Sequence, residues 1–129
     1  MRTRSEGEPW VTFIDSLGCY WIEEYPTLEP SRTLNGFIYA IWCLYEYALA
    51  TSDTTSHCLL QASLSTVKNY IPAFRRLGNV SYYGLTFHYY ASDYHLLHIR
   101  QLRILERMCQ DTTFGDWTDS LEIDFNEVP

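Results

Sequence analysis

The sequence predicts a mainly α fold, in which antiparallel helix pairs are joined by segments that include short β-hairpins. Three observations predict it: an apolar stripe at helical spacing in residues 55–74, a continuous apolar stretch at residues 34–50, and two short apolar runs around a turn near the N-terminus. Of the 129 residues, 47% are hydrophobic and 19% charged, which is typical of one globular domain with a core. The expected organisation is a tail at residues 1–10, a domain at 11–121 and an acidic tail at 122–129.

The first element is a predicted hairpin. Residues 11–14 (VTFI) and 19–25 (CYWIEEY) have the apolar and aromatic composition of strands. The four residues between them begin with Asp15 and end with Gly18, as expected for a hairpin with a type I turn. Residues 26–30, which begin and end with proline, are expected to form a loop.

The next element is a long apolar helix from about residue 34 to residue 51, capped by Ser31 or Thr33. Its apolar stretch of 17 residues is shorter than the roughly 20 residues that span a bilayer, and it contains Asn35 and Glu46. We therefore predict no membrane span. The composition instead predicts a helix that is buried on nearly all sides.

The second helix, at about residues 55–74, is amphipathic and is capped by Ser52 or Asp53. Its apolar residues recur at the intervals of one helix face, at Leu60, Leu64, Val67, Ile71 and Phe74. The loop that follows is expected to be extended over residues 79–90, around Gly84.

A third helix is predicted at about residues 94–109, capped by Ser92 or Asp93, and residues 114–121 are expected to begin a fourth. Helix pairs that alternate with hairpins also build α/α toroids, which have an inner ring of buried helices and an outer ring of amphipathic ones. The first helix fits the inner ring and the second helix fits the outer ring. The expected architecture is therefore a partial α/α toroid.

Charge is distributed unevenly along the chain. Residues 1–31 carry a net charge of −4, residues 32–110 carry +3 and residues 111–129 carry −6, which together give −7. A nucleic-acid-binding protein would show a strong basic surface, which this acidic chain lacks, so we do not expect it to bind nucleic acid. The positive centre suits an anionic ligand, although ordinary surface charge explains it equally well.

The four cysteines show no CxxC spacing and no zinc pattern. We expect them to be free and mostly buried thiols, with a disulfide in an oxidising compartment as the alternative. His95 and His98 have the His-x-x-His spacing of some metal ligands, but no third ligand is evident, so no metal site is predicted.

A pair of adjacent carboxylates, Glu23 and Glu24, stands at the end of the second predicted strand and is followed by Tyr25. Strand alternation places Glu24 on the same face as Ile22, and Trp21 on the opposite face with Glu23. If the face of Ile22 lines the core or a cleft, Glu24 is partly desolvated and its pKa is raised, as a general base near neutral pH requires. The alternative is a solvated acidic strand end.

Two further clusters contain tyrosines. In Ser81-Tyr82-Tyr83-Gly84 the adjacent tyrosines are expected to point in opposite directions, so one of them can face a cleft. Tyr94, His95 and His98 lie near one side of the start of the third helix. Aromatic packing and hydrogen-bonded structural histidines are the alternatives.

Four segments occur in order along the chain: WIEEYPT, LNGFIYAIWCLYEY, SYYGL and YHLLHIRQL. Together they resemble the C-terminal domain of the D-glucuronyl C5-epimerases, over about residues 11–117. The EEYP, LNGF and YH-x-x-HI-x-QL patterns are specific in combination, because chance would rarely place all three in this order and spacing. The resemblance implies an isomerase that converts glucuronate to iduronate within an anionic polysaccharide of the heparan sulfate or heparosan type.

The resemblance also implies roles for individual residues. The catalytic residues are Glu24, as one proton-transfer group, and Tyr94 or Tyr82, as its opposite number. Four further residues are implied to bind the substrate or line the cleft, with the histidines orienting their neighbours: Tyr25, Asn35, His95 and His98. The reaction removes and returns a proton at C5, so it requires no redox cofactor.

The chain departs from the pattern of this family in two respects. Vertebrate-type members carry an arginine shortly after the Y-D-L of the second tyrosine motif, where this chain has Tyr83-Gly84-Leu85-Thr86. Family enzymes also have a β-rich domain and further toroid helices upstream. We therefore expect a fragment, a truncated homologue or one piece of an assembly.

Alternatives of other functional classes remain open at this point. One is a non-catalytic carbohydrate-binding or interaction domain that keeps the scaffold, and another is a polysaccharide lyase, which also abstracts the C5 proton. A homodimer is expected because exposure of the apolar inner helix would favour association. The compartment is left open: the resemblance implies the Golgi lumen for a eukaryotic member and the cytoplasm for a bacterial one.

Overall fold

The computed structural model describes residues 11–27 and 29–128 and confirms a mainly α protein with a short hairpin. The elements are β1 (Thr12–Ile14), β2 (Tyr20–Ile22), α1 (Leu34–Thr51), α2 (Thr54–Phe74), α3 (Ser92–Cys109) and α4 (Thr112–Asn126). The chain divides into two compact units, residues 1–69 and residues 70–129, and the boundary falls within α2.

The hairpin of the first unit forms where the sequence predicts it. β1 and β2 are antiparallel, with Phe13 opposite Trp21. One Asp15 carboxylate oxygen accepts the amides of Leu17 and Cys19, and the other accepts the Trp21 indole N–H at 2.9 Å. Asp15 therefore fixes both the turn and the buried aromatic ring that follows it.

The core of the first unit is built on Trp21. Its ring centroid lies 6.3 Å from that of Phe13 and 5.2 Å from that of Phe37 on α1, and all three side chains are buried. The hydroxyl of Thr66 on α2 donates to the Tyr20 carbonyl at 2.7 Å. The hairpin is therefore held both by α1, through aromatic packing, and by α2, through a buried hydrogen bond.

Helix α1 is buried on one face rather than on nearly all sides. Its buried residues are Leu34, Asn35, Phe37, Ile38, Ile41 and Ala48. Tyr39, Cys43 and Tyr47, spaced four residues apart, are exposed on the other side. The prediction of all-round burial is therefore wrong for the described part of the chain. None of the helices in the described ranges is both long and apolar enough to cross a membrane.

None of the four cysteines forms a disulfide, and none of them is fully buried. Cys43 and Cys58 are exposed, and Cys19 and Cys109 are half-buried. The expectation of mostly buried thiols is wrong because Cys43 and Cys58 lie on the outward faces of α1 and α2.

The apolar stripe of α2 is confirmed: Leu60, Leu64, Val67, Ile71 and Phe74 are all buried. Asp53 accepts both the amide and the hydroxyl of Ser56, at 2.9 and 2.7 Å, so Asp53 rather than Ser52 supplies the hydrogen bond of an N-cap. In the second unit α3 packs on α4. Buried side chains on these two helices include Leu102, Leu105, Phe114 and Leu121.

The segment between α2 and α3 is less regular than predicted. Tyr82 and Tyr90 form an isolated antiparallel bridge, and no strand forms within residues 79–90. Helix α3 begins at Ser92 with Ala91 as its N-cap, and that side chain makes no capping hydrogen bond. The prediction of a Ser92 or Asp93 cap is therefore wrong, because the helix starts earlier than the apolar periodicity indicates.

Helix α4 (Thr112–Asn126) begins slightly before the predicted residue 114, and the predicted acidic tail is helical over residues 122–126. The buried Asp124 accepts Arg75 Nε at 2.7 Å and the Gly78 amide at 3.0 Å. Burial acts to raise the pKa of Asp124, but these hydrogen bonds outweigh it and hold the pKa below its usual value. A paired carboxylate of this kind stabilises the last turns of α4.

Candidate functional site

The seven predicted site residues divide between the two units. Glu24, Tyr25 and Asn35 belong to the first unit. Tyr82, Tyr94, His95 and His98 belong to the second.

The two adjacent glutamates differ sharply in burial. Glu23 is only 5% exposed, and its carboxylate accepts the amide of Arg32 at 3.0 Å and the hydroxyl of Ser31 at 3.2 Å. These bonds tie the loop before α1 back to the end of β2. Glu23 is therefore the structural carboxylate of the pair.

Glu24 is exposed, so the expectation of a partly desolvated carboxylate is not met in the described chain. Strand alternation no longer decides its direction because β2 ends at Ile22. The Thr33 hydroxyl lies 3.4 Å from one Glu24 carboxylate oxygen and donates to it. Glu24 is thus accessible, and a side chain at the start of α1 helps to hold it.

Gly36, in the first turn of α1, leaves the space that the Glu24 side chain occupies. A Cβ added to Gly36 would lie 3.0 Å from Glu24 Cβ, 3.2 Å from Cγ and 3.3 Å from Cδ. The Glu24 side chain therefore runs along the bare backbone of Gly36, and the EEYP and LNGF segments are in contact. Asn35, the residue before this glycine, is buried, whereas Tyr25 is exposed.

In the second unit, the adjacent tyrosines have different partners. The Tyr82 ring lies 4.6 Å from the His88 ring, and the Arg76 guanidinium carbon is 5.4 Å from the Tyr82 ring centroid. The Tyr83 ring lies 4.4 Å from that of Tyr94, which is 38% exposed. Sequence reasoning did not select Tyr83, although the expected opposite directions of two adjacent tyrosines point to it.

Ser81 connects this tyrosine segment to α3 through two fully buried histidines. Its amide donates to His95 Nδ1 at 2.7 Å, and its hydroxyl lies 2.9 Å from His95 Nδ1 and 2.8 Å from His98 Nδ1. His95 Nε2 lies 2.8 Å from the Leu121 carbonyl, which can only accept, so Nε2 carries the ring proton of a neutral His95. The Ser81 cluster, comprising Ser81, His95 and His98, therefore joins the tyrosine segment to both α3 and α4.

His98, the more isolated of the two histidines, stays uncharged near neutral pH. Burial, and secondarily the charge of His95, lowers the pKa of His98 from 6.5 to about 3. Full burial of both histidines favours the orienting role over direct contact with a ligand. The first turn of α3, which bears Tyr94, is thus held at a fixed distance from Tyr82 and Tyr83.

The described residues group no three His, Cys, Asp or Glu side chains in a way that could hold a metal ion. A shallow groove of about 270 Å³ lies on α3 and α4 and is lined by Leu96, Ile99, Glu122, Phe125 and Asn126. None of the predicted site residues lines this groove. The chemistry available in the described chain is therefore that of an exposed carboxylate in the first unit and of positioned phenols in the second.

Comparison with known proteins gives a family match and a more distant relative. The sequence model of the family described as "D-glucuronyl C5-epimerase C-terminus" matches residues 3–122. An uncharacterized protein of Methanocaldococcus jannaschii is 30% identical over 83 residues, which are 64% of this chain and 27% of that protein. The chain thus spans about a quarter of the length of this relative.

Proposed function

This chain belongs to the family of D-glucuronyl C5-epimerase C-terminal domains, and on that premise we propose that it acts in the C5 epimerisation of glucuronate within a heparosan- or heparan-sulfate-type polysaccharide. The observation that carries the proposal is that the EEYP, LNGF, SYYGL and YHLLHI segments all fall within the matched residues 3–122. The anionic polymer also suits the net positive centre of the chain.

The reaction breaks the C5–H bond of a glucuronate and forms a new C5–H bond on the opposite face of the ring. Loss of the proton leaves its electron pair on C5, from where it spreads into the attached carboxylate as an enolate-like dianion. The step requires a base on one face, an acid on the other and groups that stabilise the growing negative charge. No oxidation state changes, so the reaction requires no redox cofactor.

We assign Glu24 to one face of the ring and Tyr94 or Tyr82 to the other. A carboxylate is a suitable base, and a phenol with an ordinary pKa near 10 is a better proton donor than base. The exposure of Glu24, its contact with Gly36 and the partial exposure of Tyr94 support these roles. Tyr25 directly follows Glu24, and Asn35 directly precedes the Gly36 that Glu24 contacts. The Ser81 cluster orients the tyrosines.

Deuterium incorporation tests the proposal. Incubation of heparosan with the protein in D2O should place deuterium at C5 of the uronate, as measured by NMR. Glu24→Gln and Tyr94→Phe should each lower the exchange rate by about two orders of magnitude or more, because each removes a proton-transfer group. Glu29→Gln, which changes another exposed carboxylate of the same loop, should leave the rate unchanged.

Exchange that survives Glu24→Gln and Tyr94→Phe unchanged would contradict these assignments. Binding of heparosan without exchange, and without an effect of either substitution on affinity, would favour the non-catalytic carbohydrate-binding domain. An unsaturated product that absorbs in the ultraviolet would identify a lyase.

A further inference from the structure

The loop between α2 and α3 contains an aromatic cluster built around one arginine. The guanidinium carbon of Arg76 lies 3.9 Å from the ring centroid of Tyr90 and 5.4 Å from that of Tyr82. The Tyr82 ring in turn lies 4.6 Å from the His88 ring, and the backbones of Tyr82 and Tyr90 pair in the isolated bridge. We call these four residues, Arg76, Tyr82, His88 and Tyr90, the Arg76 cluster.

Arg76 differs from its neighbour in having no carboxylate partner within the described part of the chain. Arg75 pairs with the buried Asp124, and Arg103 pairs with Glu122. Among the described residues, the Arg76 guanidinium makes one hydrogen bond, from Nη1 to the Val80 carbonyl at 3.3 Å. Most of the five N–H donors of its guanidinium therefore remain available to an anion.

Two tyrosine rings prepare Arg76 for an anionic ligand. No acidic residue occurs between Asp53 and Asp93 in the sequence. In the fold, the Asp124 carboxylate near Gly78 is already paired with Arg75 and the Gly78 amide, and Glu127 also lies near Gly78. The rings of Tyr82 and Tyr90 limit the positions that the guanidinium can take, so a ligand would meet an arginine that is already oriented. A pre-oriented guanidinium binds a planar carboxylate through two parallel hydrogen bonds.

The loop that carries His88 and Tyr90 also bears other exposed aromatic side chains. Tyr90 is 57% exposed, and the exposed Phe87 and Tyr89 have ring centroids 6.2 Å apart. Aromatic side chains of this kind offer flat apolar faces on which the C–H face of a pyranose can pack, together with phenol groups that bind hydroxyls. The combination of a guanidinium with phenol rings matches a sugar that carries a carboxylate.

We propose that Arg76, held between Tyr82 and Tyr90, binds the carboxylate of a uronate residue of the polysaccharide. This inference rests on the proposed function and adds the substrate-recognition residue to it. C5 is bonded directly to the carboxylate carbon, so a carboxylate at Arg76 places C5 beside Tyr82. The same cation would stabilise the negative charge that spreads into the carboxylate when the C5 proton leaves.

The stretch Tyr83-Gly84-Leu85-Thr86 contains no arginine. In this proposal Arg76, which precedes the tyrosine motif, supplies the guanidinium instead. The guanidinium reaches Tyr82 because the chain turns back between α2 and the bridge, where the Tyr82 amide donates to the Phe74 carbonyl at 2.9 Å. An arginine two positions after Phe74 is therefore brought next to the tyrosine.

Binding of an unsulfated heparosan oligosaccharide tests the proposal, because the carboxylate is its only anionic group. Affinity is compared with that for the carboxyl-reduced oligosaccharide, by calorimetry on the full 129-residue chain. Arg76→Ala should weaken binding of the unsulfated oligosaccharide about tenfold or more. The affinity of Arg76→Lys should lie between those of Arg76→Ala and the unsubstituted protein, because lysine keeps the positive charge but cannot form the bidentate hydrogen bonds of arginine.

The carboxyl-reduced oligosaccharide should bind weakly to the unsubstituted protein, and Arg76→Ala should change that affinity little. Arg100→Ala, which removes an exposed arginine from α3, is the matched control and should bind as the unsubstituted protein does. Circular dichroism verifies that each variant is folded, and Arg76→Lys decides the result if Arg76→Ala does not fold.

Three results would overturn the assignment of Arg76. The first is full affinity of Arg76→Ala for the unsulfated oligosaccharide, and the second is an equal loss of affinity for the carboxyl-reduced oligosaccharide on this substitution. The third is that the unsubstituted protein binds neither sugar. Restored affinity for a sulfated, carboxyl-reduced oligosaccharide would overturn it in favour of a sulfate site. C5 deuterium exchange separates this inference from the proposed function. Exchange that is unaffected by Arg76→Ala would reject only Arg76, whereas carboxylate-dependent binding without exchange would reject only the epimerase activity.

Discussion

At the scale of single residues, the Ser81 cluster shows how one serine satisfies two buried imidazoles. The Ser81 hydroxyl has one proton and lies within hydrogen-bond distance of two imidazoles. His95 Nδ1 already accepts the Ser81 amide, and its Nε2 donates to the Leu121 carbonyl. His98 has no such second contact, since its Nε2 is buried without a hydrogen-bond partner. Protonation of His98 would place an uncompensated charge in the interior.

The stability of the protein should therefore fall in mild acid. The unfolded chain binds a proton at a histidine of ordinary pKa, about 6.5, whereas folded His98 does so only near pH 3. The unfolded chain thus holds the extra proton between these values, and each pH unit below 6.5 should cost about 1.4 kcal/mol of unfolding free energy. Urea unfolding at several pH values between about 6.5 and 4.5 measures this slope.

Two variants make the pH measurement specific. His98→Asn should flatten the slope, because asparagine keeps a polar group near Ser81 but does not titrate. His57→Gln, which removes an exposed histidine from α2, should leave the slope unchanged. Asp124 does not interfere, because its pKa lies below the usual carboxyl value and its own contribution is lost only at more acidic pH. Equal slopes in His98→Asn and the unsubstituted protein would contradict the assignment.

Some residue-level features followed from the sequence and others did not. Strand alternation separated Glu23 from Glu24 but favoured the wrong one for burial, because donors from Ser31 and Arg32 bury Glu23 after β2 has ended. The adjacency of Tyr82 and Tyr83 predicted different directions, and the two rings do contact different partners. The pairing of Arg76 with Tyr82 had no local signal, because it depends on the turn of the loop.

At the scale of elements, the contact between the start of α1 and the end of the hairpin is the feature most relevant to function. A glycine inside a helix usually costs about 1 kcal/mol relative to alanine. At Gly36 this cost is offset by the space that the bare backbone leaves for Glu24, whose Cβ would lie only 3.0 Å from an added methyl group. The methyl group would contact Cβ of Glu24, which cannot move away by a rotamer change as a terminal carboxylate can.

Gly36→Ala should therefore give little or no gain in thermal stability and should reduce C5 exchange by about tenfold or more, because Glu24 is displaced. Thermal unfolding and the deuterium assay measure the two effects on one preparation. Gly115→Ala on α4 is the matched control: its methyl group would meet only the carboxylate end of Glu106, which can move, so exchange should be unchanged. A stabilised Gly36→Ala variant with full exchange would contradict the role of this contact.

Periodicity identified the helices, but it did not fix their ends. The stripe of α2 was complete in the sequence, and its five apolar residues are all buried. The end of α4 was missed because six acidic residues follow Gln110 without a base, and only the fold brings Arg75 to Asp124. The start of α3 was missed because Ala91 caps the helix without a side-chain hydrogen bond.

At the scale of the whole molecule, the exposed side of α1 predicts self-association. Tyr39, Cys43 and Tyr47 recur at intervals of four residues along this side, and a contiguous exposed apolar face favours contact with another protein surface. We expect the chain to sediment as a dimer at micromolar concentration, as measured by analytical ultracentrifugation. Tyr47→Glu should shift the equilibrium to the monomer.

Leu17→Glu provides the control for the sedimentation experiment, because Leu17 is 78% exposed in the hairpin turn and lies outside this face. It should leave the sedimentation coefficient unchanged. A monomeric unsubstituted protein, or dimers that persist in Tyr47→Glu, would show that the exposed side of α1 does not mediate association.

The hydrogen bond from Thr66 to the Tyr20 carbonyl has a consequence for the dynamics of the chain. It joins residues 46 positions apart, and a pair of three-residue strands is only marginally stable on its own. Local opening of the hairpin is therefore governed by α2 as well as by the β1–β2 ladder. Since Glu23 and Glu24 directly follow β2, the fraction of time for which Glu24 is in position depends on the lifetime of a contact made by a helix far along the sequence.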